Sequence, residues 1–376
     1  MASKPVVLLI HGMGSSTPPD PGSNKLGSFG EEFRDSLDTV LQQFSDHDDD
    51  SIENYVTLDE FHYNDKFDLI RNKMADRAKD VRTRLDEVQG LFPGGTFLGR
   101  FADQFNSWEE DFGDDEFLYT HWLDVLFYTT YIGGWIRASL AERIAKLIKE
   151  HGNKNVHVVA HSLGTAVLHD TLAQIYPPGG KPIPGTPAYF SVENDQLESV
   201  WMVANVSSLI NTVVGLADPL APGTTVKPGN GGCTKRFYNV RHELDPFTLI
   251  RTFKPKNDGH WISPQNFKLR YRAIKNDVII EPNTHSFPQY IGDPNVSLPM
   301  LRKLMGSSKF KPGKTERDKY IESHASQGLT GAFSRLEESL KAIDVKDVDT
   351  LDEFLRAGQA FTKIIKEMRE ELEGGS

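Results

Sequence analysis

The sequence predicts an α/β protein with a mostly parallel central sheet that is flanked by helices. Short runs of β-branched residues between turn residues alternate with longer segments of helical period, which is typical of this architecture. The runs at 6–10 and 156–160 are almost entirely apolar, as expected for parallel strands buried on both faces. Further strands are predicted at 55–61, 199–204 and 236–241, with one or two more between 267 and 280.

The helices are predicted from apolar residues that recur at steps of three and four. Residues 29–44 form one such amphipathic helix, and residues 67–88 form a longer one with a highly charged outer face. Beyond 306 the strand pattern stops, and helices are predicted at 316–324, 329–343 and 351–372. We therefore expect one domain over residues 1–305 and a helical C-terminal extension over 306–376 that packs on it.

A helical insertion is predicted before the second apolar strand, over approximately residues 62–135. Its second half is dense in large aromatic side chains, including Trp108 and Trp122. Such rings most often pack an ordinary helical layer. They would also suit a cap that lines an apolar substrate pocket, with Trp108 and Trp122 contacting the substrate. The sequence leaves both interpretations open.

Composition limits the functional class and the cellular location of the protein. A formal net charge of −11 and the lack of a basic stripe argue against a nucleic-acid-binding protein. The single cysteine, Cys233, cannot form an intramolecular disulfide, so we expect a cytoplasmic protein. No stretch approaches the roughly 20 apolar residues that span a bilayer, which leaves peripheral membrane contact possible. The oligomeric state is left open.

The segment from Ala160 to Gly164, Ala-His-Ser-Leu-Gly, has the pattern of a nucleophile elbow. A serine hydroxyl is a weak nucleophile, and a sharp strand-to-helix turn would present Ser162 to a base. Such a turn needs small residues two positions before and after the serine, where Ala160 and Gly164 stand. A helical pattern follows, so Ser162 is predicted to precede a helix N-terminus, which favours developing negative charge.

The first predicted strand runs into His11-Gly12-Met13-Gly14. A glycine turn lets backbone N–H groups approach a reacting carbonyl oxygen, and we assign the oxyanion hole to the N–H groups of Met13 and Leu163. His11, Gly12 and His161 are predicted to lie beside the substrate. Glycine turns also occur as plain connections or phosphate loops, but no phosphate-binding motif follows this one.

These two motifs resemble those of the α/β-hydrolase superfamily, and the resemblance covers residues 5–295. In that superfamily the triad follows the order serine, acid, histidine along the chain. The resemblance implies that the acid lies just after a strand, and the segment Asn-Val-Arg-His-Glu-Leu-Asp-Pro makes Asp245 the first choice. Glu243 and Asp218 are the alternatives. Asp-Pro is also a common turn initiator, which is the structural interpretation of the same pair.

Three histidines follow the acid and so keep the superfamily order, namely His260, His285 and His324. His285 fits best as the general base because it lies in a loop after the apolar run 278–280, interpreted as a strand, and before a predicted helix. A neutral imidazole can accept the serine proton near pH 7.

The resemblance therefore implies an esterase- or lipase-like serine hydrolase that cleaves small-molecule or lipid esters through an acyl-enzyme. We expect no metal and no other cofactor. His157 and His161 share a strand face, but buried histidines explain that spacing better than metal ligands do. The alternatives are a non-catalytic binding protein of the same fold and a serine amidase or peptidase that uses the same triad. Many superfamily members have glycine where this chain has Ala160, and alanine is still small enough for the elbow.

Overall fold

The computed structural model describes residues 4–12, 17, 26–63, 128, 132–181, 188–213, 218–280 and 283–328. The strands in this part of the chain are β1 (Val6–Ile10), β2 (Thr57–Phe61), β3 (Val156–His161), β4 (Ser199–Val203), β5 (Phe237–His242) and β6 (Tyr271–Asn276). The helices are α1 (Ser28–Leu41), α2 (Gly133–His151), α3 (Leu163–Ile175), α4 (Ser207–Val213), α5 (Pro246–Ile250), α6 (Pro264–Arg270), α7 (Phe287–Ile291), α8 (Pro294–Met305) and α9 (Lys314–Ser326). Short 3₁₀ turns occur at Ile52–Asn54, Asn153–Asn155 and Pro178–Gly180.

The described strands form one parallel sheet in the order β2-β1-β3-β4-β5-β6. From β1 the chain first adds β2 on one side and later adds β3 on the other. In such sheets the crevice outside the carboxyl ends of the strands, at the point where the winding reverses, is the usual ligand site. This point lies between β1 and β3, and the predicted serine follows β3 directly.

Both faces of the sheet are buried, which explains the continuous apolar runs of β1 and β3. Leu8 and Val158 belong to one hydrophobic core, together with residues of α2 and α3. Val7 and Val159 belong to the other, together with residues of α1, α7 and α8. The prediction of an α/β fold with a parallel sheet flanked by helices is therefore confirmed.

Two predicted strands end differently in the structure. β4 stops at Val203 because Ala204 adopts a left-handed backbone conformation with φ of 49°. The interpretation of 278–280 as a strand is wrong, since β6 ends at Asn276 and these three residues are outside any strand. Side chains bind the backbone there in place of a neighbouring strand: Gln289 accepts a hydrogen bond from the N–H of Ile280 and donates one to the carbonyl oxygen of Val278.

The described start of the predicted C-terminal extension packs on the domain. The helix predicted at 316–324 lies within α9, and Tyr320 joins the core face that contains α1. Its ring lies 5.8 Å from the ring of Phe44, and Glu316 accepts a 2.6 Å hydrogen bond from the Ser45 hydroxyl. The division at residue 305 stays a prediction.

Several predicted features lie outside the described residues. They are Trp108, Trp122, most of the insertion over 62–135, and the helices predicted at 67–88, 329–343 and 351–372. Within the described part of the chain, no helix combines the length and the apolar character needed to cross a membrane.

Candidate active site

Ser162 occupies the sharp turn between β3 and α3. Its backbone has φ of 52° and ψ of −126°, a conformation that residues other than glycine rarely adopt. Such strain costs about 1–3 kcal/mol and persists only where the surroundings fix it. Here the N–H of Ser162 donates to the carbonyl oxygen of Val203, and its own carbonyl oxygen accepts from the N–H and hydroxyl of Thr165. The turn therefore presents the hydroxyl at the carboxyl edge of the sheet.

The turn packs tightly against the end of β1. A Cβ atom added to Gly164 would lie 2.7 Å from the carbonyl oxygen of Ile10 and even closer to that of His11. A Cβ added to Gly12 would lie 2.7 Å from the Cβ of Ser162. The small residue that the sequence predicts to be necessary at position 164 is therefore required by the backbone at the end of β1.

Ser162, His285 and Asp245 form one hydrogen-bonded chain. The Nε2 atom of His285 lies 2.7 Å from the Oγ of Ser162, and its Nδ1 atom lies 2.7 Å from the Oδ2 of Asp245. A neutral imidazole donates through one nitrogen and accepts through the other. Because a carboxylate can only accept, Nδ1 donates to Asp245 and Nε2 accepts the serine proton.

Asp245 is fixed by the local fold as well as by the histidine. It follows β5 and caps the N-terminus of α5, where its Oδ1 accepts a 3.0 Å hydrogen bond from the N–H of Phe247. The residue is fully buried. The two alternative acids lie elsewhere: Glu243 forms an ion pair with Lys275, and the exposed Asp218 accepts from the N–H of Leu220.

His285 lies in the loop between β6 and α7. The side chain of Asn283 accepts a 3.1 Å hydrogen bond from its N–H, and the ring of Phe247 packs 4.6 Å from the imidazole. His260 lies in an exposed loop, and His324 lies near the end of α9, where burial lowers its pKa. Of the three candidate histidines, the structure therefore brings His285 to the serine.

Tyr290 also belongs to this site, although the sequence did not predict it. Its hydroxyl donates a 2.5 Å hydrogen bond to the Oδ2 of Asp245 and accepts a 3.0 Å bond from the N–H of His242. Burial and the charge of Asp245 raise the pKa of Tyr290 well above its usual value. In the sequence, a tyrosine among apolar helix residues indicates core packing, and its spacing of five from His285 is the only local signal.

Two of the predicted substrate contacts, His161 and His11, are buried, and each ring binds a backbone group. The Nε2 of His161 donates to the carbonyl oxygen of His285 at 3.0 Å, which ties the elbow to the histidine loop. The Nδ1 of His11 donates to the carbonyl oxygen of Gly12 at 2.8 Å.

The ring of His11 is also fixed from its other side. It stacks on the ring of Tyr63 at 4.1 Å, and its Nε2 accepts from the N–H of Tyr63 at 3.4 Å. The hydroxyl of Tyr63 donates to the carbonyl oxygen of His11 at 2.7 Å. These contacts fix the backbone at His11 and Gly12, and Gly12 packs directly against Ser162.

The backbone around Ser162 can hold negative charge. Leu163 is the first residue of α3, and N–H groups in the first turn of a helix have no acceptor within the helix. The positive end of the helix dipole adds to the effect. Met13, the other predicted oxyanion donor, lies outside the described residues, as do Trp108 and Trp122.

His157, the other histidine on this face of β3, is buried away from the serine. Its Nδ1 lies 2.7 Å from the Oγ of Ser199. Burial, and to a lesser degree the positive charge of Lys303, lowers the pKa of His157 to about 3. A neutral histidine packed in the core accounts for this position.

No model of a known protein family matches the chain, and a search among curated proteins found no match either. The site holds a serine hydroxyl bonded to an imidazole, which is oriented by a buried carboxyl group. That arrangement can activate a nucleophile.

Proposed function

We propose that this chain is a serine hydrolase of the α/β-hydrolase superfamily that cleaves carboxylic esters. The observation that carries the proposal is the hydrogen-bonded chain Ser162–His285–Asp245, with both links at 2.7 Å. Its members come from turns after β3, β6 and β5, so three separate parts of the chain meet at one edge of the sheet. Core packing alone does not require a strained serine to be joined to a buried acid through a histidine.

The proposed reaction follows the serine-hydrolase mechanism. His285 takes the proton from Ser162 through Nε2 while the serine oxygen attacks the ester carbonyl, and Asp245 stabilises the imidazolium. The N–H groups of Leu163 and Met13 would hold the oxyanion, and loss of one such donor costs about 3 kcal/mol of barrier. His285 then protonates the departing alcohol. Water, deprotonated by the same histidine, releases the acid from the acyl-enzyme.

The side chains around the histidine support an apolar substrate. Phe247, whose ring packs 4.6 Å from the imidazole of His285, is almost completely buried, and it shares a hydrophobic core with Leu244 and Leu163. Such surroundings suit the uncharged acyl or alcohol group of a small-molecule or lipid ester. A cap formed by the aromatic insertion, with Trp108 and Trp122 against the acyl chain, belongs to the same proposal. So does a cytoplasmic location, which the single cysteine favours.

A fluorophosphonate probe tests the proposal directly, because it reacts with activated serines. We expect the wild-type chain to be labelled at Ser162, as identified by mass spectrometry, and the Ser162→Ala variant to stay unlabelled. Ser207→Ala is the matched control, since Ser207 is also a buried serine at a helix start, with its hydroxyl bonded to Asn205.

Chromogenic substrates then separate the reaction classes. p-Nitrophenyl esters of increasing chain length report esterase activity, and p-nitroanilides report amidase activity. If the folded wild-type protein were neither labelled nor active on any of these compounds, the proposal would fail. The non-catalytic binding protein would then be the better description.

A further inference from the structure

Tyr290 is joined to the proposed catalytic acid by its phenol hydroxyl. We propose that Tyr290 is a positioning residue whose hydroxyl orients Asp245 and competes with His285 for the negative charge of the carboxylate. This inference rests on the proposed function, since it assigns a role within the Ser162 site. It adds a fourth side chain to the serine, histidine and acid.

The Oδ2 atom of Asp245 is shared between two donors. It accepts from the Nδ1 of His285 at 2.7 Å and from the hydroxyl of Tyr290 at 2.5 Å. The Oδ1 atom accepts from the N–H of Phe247 at 3.0 Å. Asp245 is fully buried, so its charge is balanced by fixed hydrogen-bond donors. A stronger hydrogen bond from the Tyr290 hydroxyl therefore weakens the attraction between the carboxylate of Asp245 and the imidazole of His285.

The direction of the phenol hydrogen bond is fixed by a backbone group. The oxygen of Tyr290 accepts from the N–H of His242, and a phenol has only one proton to donate. Because the ionised carboxylate of Asp245 can only accept, that proton lies between Tyr290 and Asp245. A continuous path of hydrogen bonds thus runs from the end of β5 through the phenol, carboxylate and imidazole to Ser162. Bonds in such a path polarise one another.

Both side chains that donate to the Oδ2 of Asp245 are held by one short segment. His285 and Tyr290 are five residues apart, and the segment is anchored by Gln289 and Thr284. The side chain of Gln289 bonds the backbone at 278 and 280, and the hydroxyl of Thr284 donates to the carbonyl oxygen of Leu244 at 2.8 Å. The histidine and the phenol therefore approach the carboxylate as a unit.

Other titratable groups lie near this path but do not replace the phenol. Burial lowers the pKa of His242, although the carboxylates of Asp245, Asp277 and Glu243 oppose that effect. The Nδ1 of His242 accepts from the N–H of Leu244, so its Nε2 donates to the carbonyl oxygen at 278. The ring of His161 lies 5.2 Å from that of His285 and bonds its backbone carbonyl. Both rings thus bind backbone groups, whereas the phenol binds the carboxylate itself.

Removal of the phenol hydroxyl should move the pH–rate profile in a direction that can be predicted. Without this competing donor, Asp245 holds the protonated imidazole of His285 more strongly. The acidic limb of the pH–rate profile then moves to higher pH, because the base must be neutral to accept the serine proton. The carboxylate also loses one of its orienting bonds, so the rate on the plateau falls.

The experiment measures the second-order rate of fluorophosphonate labelling at Ser162 across pH. For Tyr290→Phe we expect the midpoint of the acidic limb to move to higher pH by about half a unit to one unit. We expect the plateau rate to fall by about tenfold. Incorporation of 3-fluorotyrosine at position 290 supplies a stronger hydrogen-bond donor, and we expect it to move the limb to lower pH.

Tyr176→Phe is the matched control. Tyr176 is also fully buried, and its hydroxyl donates a 2.7 Å hydrogen bond to the carbonyl oxygen of Asp195. It lies beyond the C-terminal end of α3, whereas Ser162 lies at the N-terminal end. Removing this hydroxyl should lower stability without moving the pH profile.

The outcomes separate the two proposals. If the wild-type chain is not labelled, the proposed function fails whatever Tyr290 does. If the wild-type is labelled but Tyr290→Phe leaves the acidic limb in place, the role of Tyr290 is overturned, even if the rate falls, because packing alone would explain that. If Tyr290→Phe does not fold, the fluorotyrosine protein decides: an unmoved limb overturns the inference, and a limb at lower pH supports it.

Discussion

The Nε2 atom of His285 lies 2.7 Å from the hydroxyl oxygen of Ser162, although the two residues are 123 positions apart in the chain. The parallel sheet accounts for this approach, because the carboxyl ends of parallel strands meet at one edge. β3 ends directly before the serine, β5 ends shortly before Asp245, and β6 precedes the histidine loop. The geometry thus depends on the register of strands that are distant in sequence.

Substitutions in the Ser162–His285–Asp245 chain should be strongly non-additive. If the three side chains act as a unit, removal of the serine removes most of what the others contribute. We expect Ser162→Ala to reduce ester turnover by about 10⁴-fold or more, and the double variant with His285→Ala to lose little further activity. Steady-state kinetics on p-nitrophenyl esters check this. If the loss of activity in the double variant equalled the product of the losses in the two single variants, the residues would act independently, which would contradict the triad.

Asp245→Asn should leave the fold in place and still abolish most activity. An asparagine at this position can retain the cap on α5, but its amide would present a donor where His285 needs an acceptor. The imidazole would then favour the wrong tautomer, with a loss of about 10⁴-fold in turnover. Circular dichroism and urea unfolding provide the check on structure. Glu243→Gln is the control, since this neighbouring acid pairs with Lys275 and should be replaceable without loss of activity.

Ser162 stores backbone strain that a glycine would release. We expect Ser162→Gly to be more stable than Ser162→Ala by about 1 kcal/mol, because glycine adopts positive φ readily while alanine does not. Both variants lack the hydroxyl, so the comparison cancels the lost hydrogen bond to His285. The measurement is the free energy of unfolding in urea. If Ser162→Ala proved the more stable of the two, the turn would not be strained.

The sequence predicted the site best where its signal is local. The elbow around Ser162 and the acid after β5 are short patterns with fixed neighbours, and the structure places both next to His285. The same reasoning misplaced the last strand at 278–280, because a short apolar run does not reveal whether another strand lies beside it. In the structure, the side chain of Gln289 forms hydrogen bonds with the backbone of Val278 and Ile280, where a neighbouring strand would otherwise pair.

Tyr290 could not be predicted because its role depends on tertiary contacts. Its helix, α7, has only five residues, and Phe287 and Ile291 on either side of Tyr290 indicate a core position. That indication is correct for the ring, which is fully buried. The function proposed for the hydroxyl arises only because β5 brings His242 and Asp245 to it. A polar tip on a buried aromatic residue needs a partner, and the sequence does not say which.

Gly164→Ala should disrupt both folding and activity. The added methyl group would collide with the carbonyl groups that end β1, and backbone there cannot move away as a side chain could. We expect a loss of about 1–3 kcal/mol in the free energy of unfolding, together with loss of labelling at Ser162. Gly134→Ala is the control. It adds a methyl group to α2 where the nearest atom is 4.0 Å away, and it should be neutral or slightly stabilising.

Asp293 should make the protein less stable as the pH rises. Burial raises its pKa from 3.8 to about 6, and its Oδ2 atom has no hydrogen-bond partner among the described residues. A carboxyl group whose pKa is higher in the folded state stabilises that state below its unfolded pKa, near 4, and loses this contribution as the pH rises through about 6. The substitution Asp293→Asn would avoid the buried charge and could keep the cap on α8, where the Oδ1 now accepts from the N–H of Asn295.

We therefore expect Asp293→Asn to be more stable than the wild-type at pH 7 by about 1–2 kcal/mol, with the difference disappearing near pH 4. Urea unfolding at several pH values measures this. Asp218→Asn is the control: this exposed aspartate also accepts a backbone N–H, from Leu220, and should show little difference at either pH. A constant difference between Asp293→Asn and the wild-type across pH would mean that the carboxylate of Asp293 is not penalised by burial.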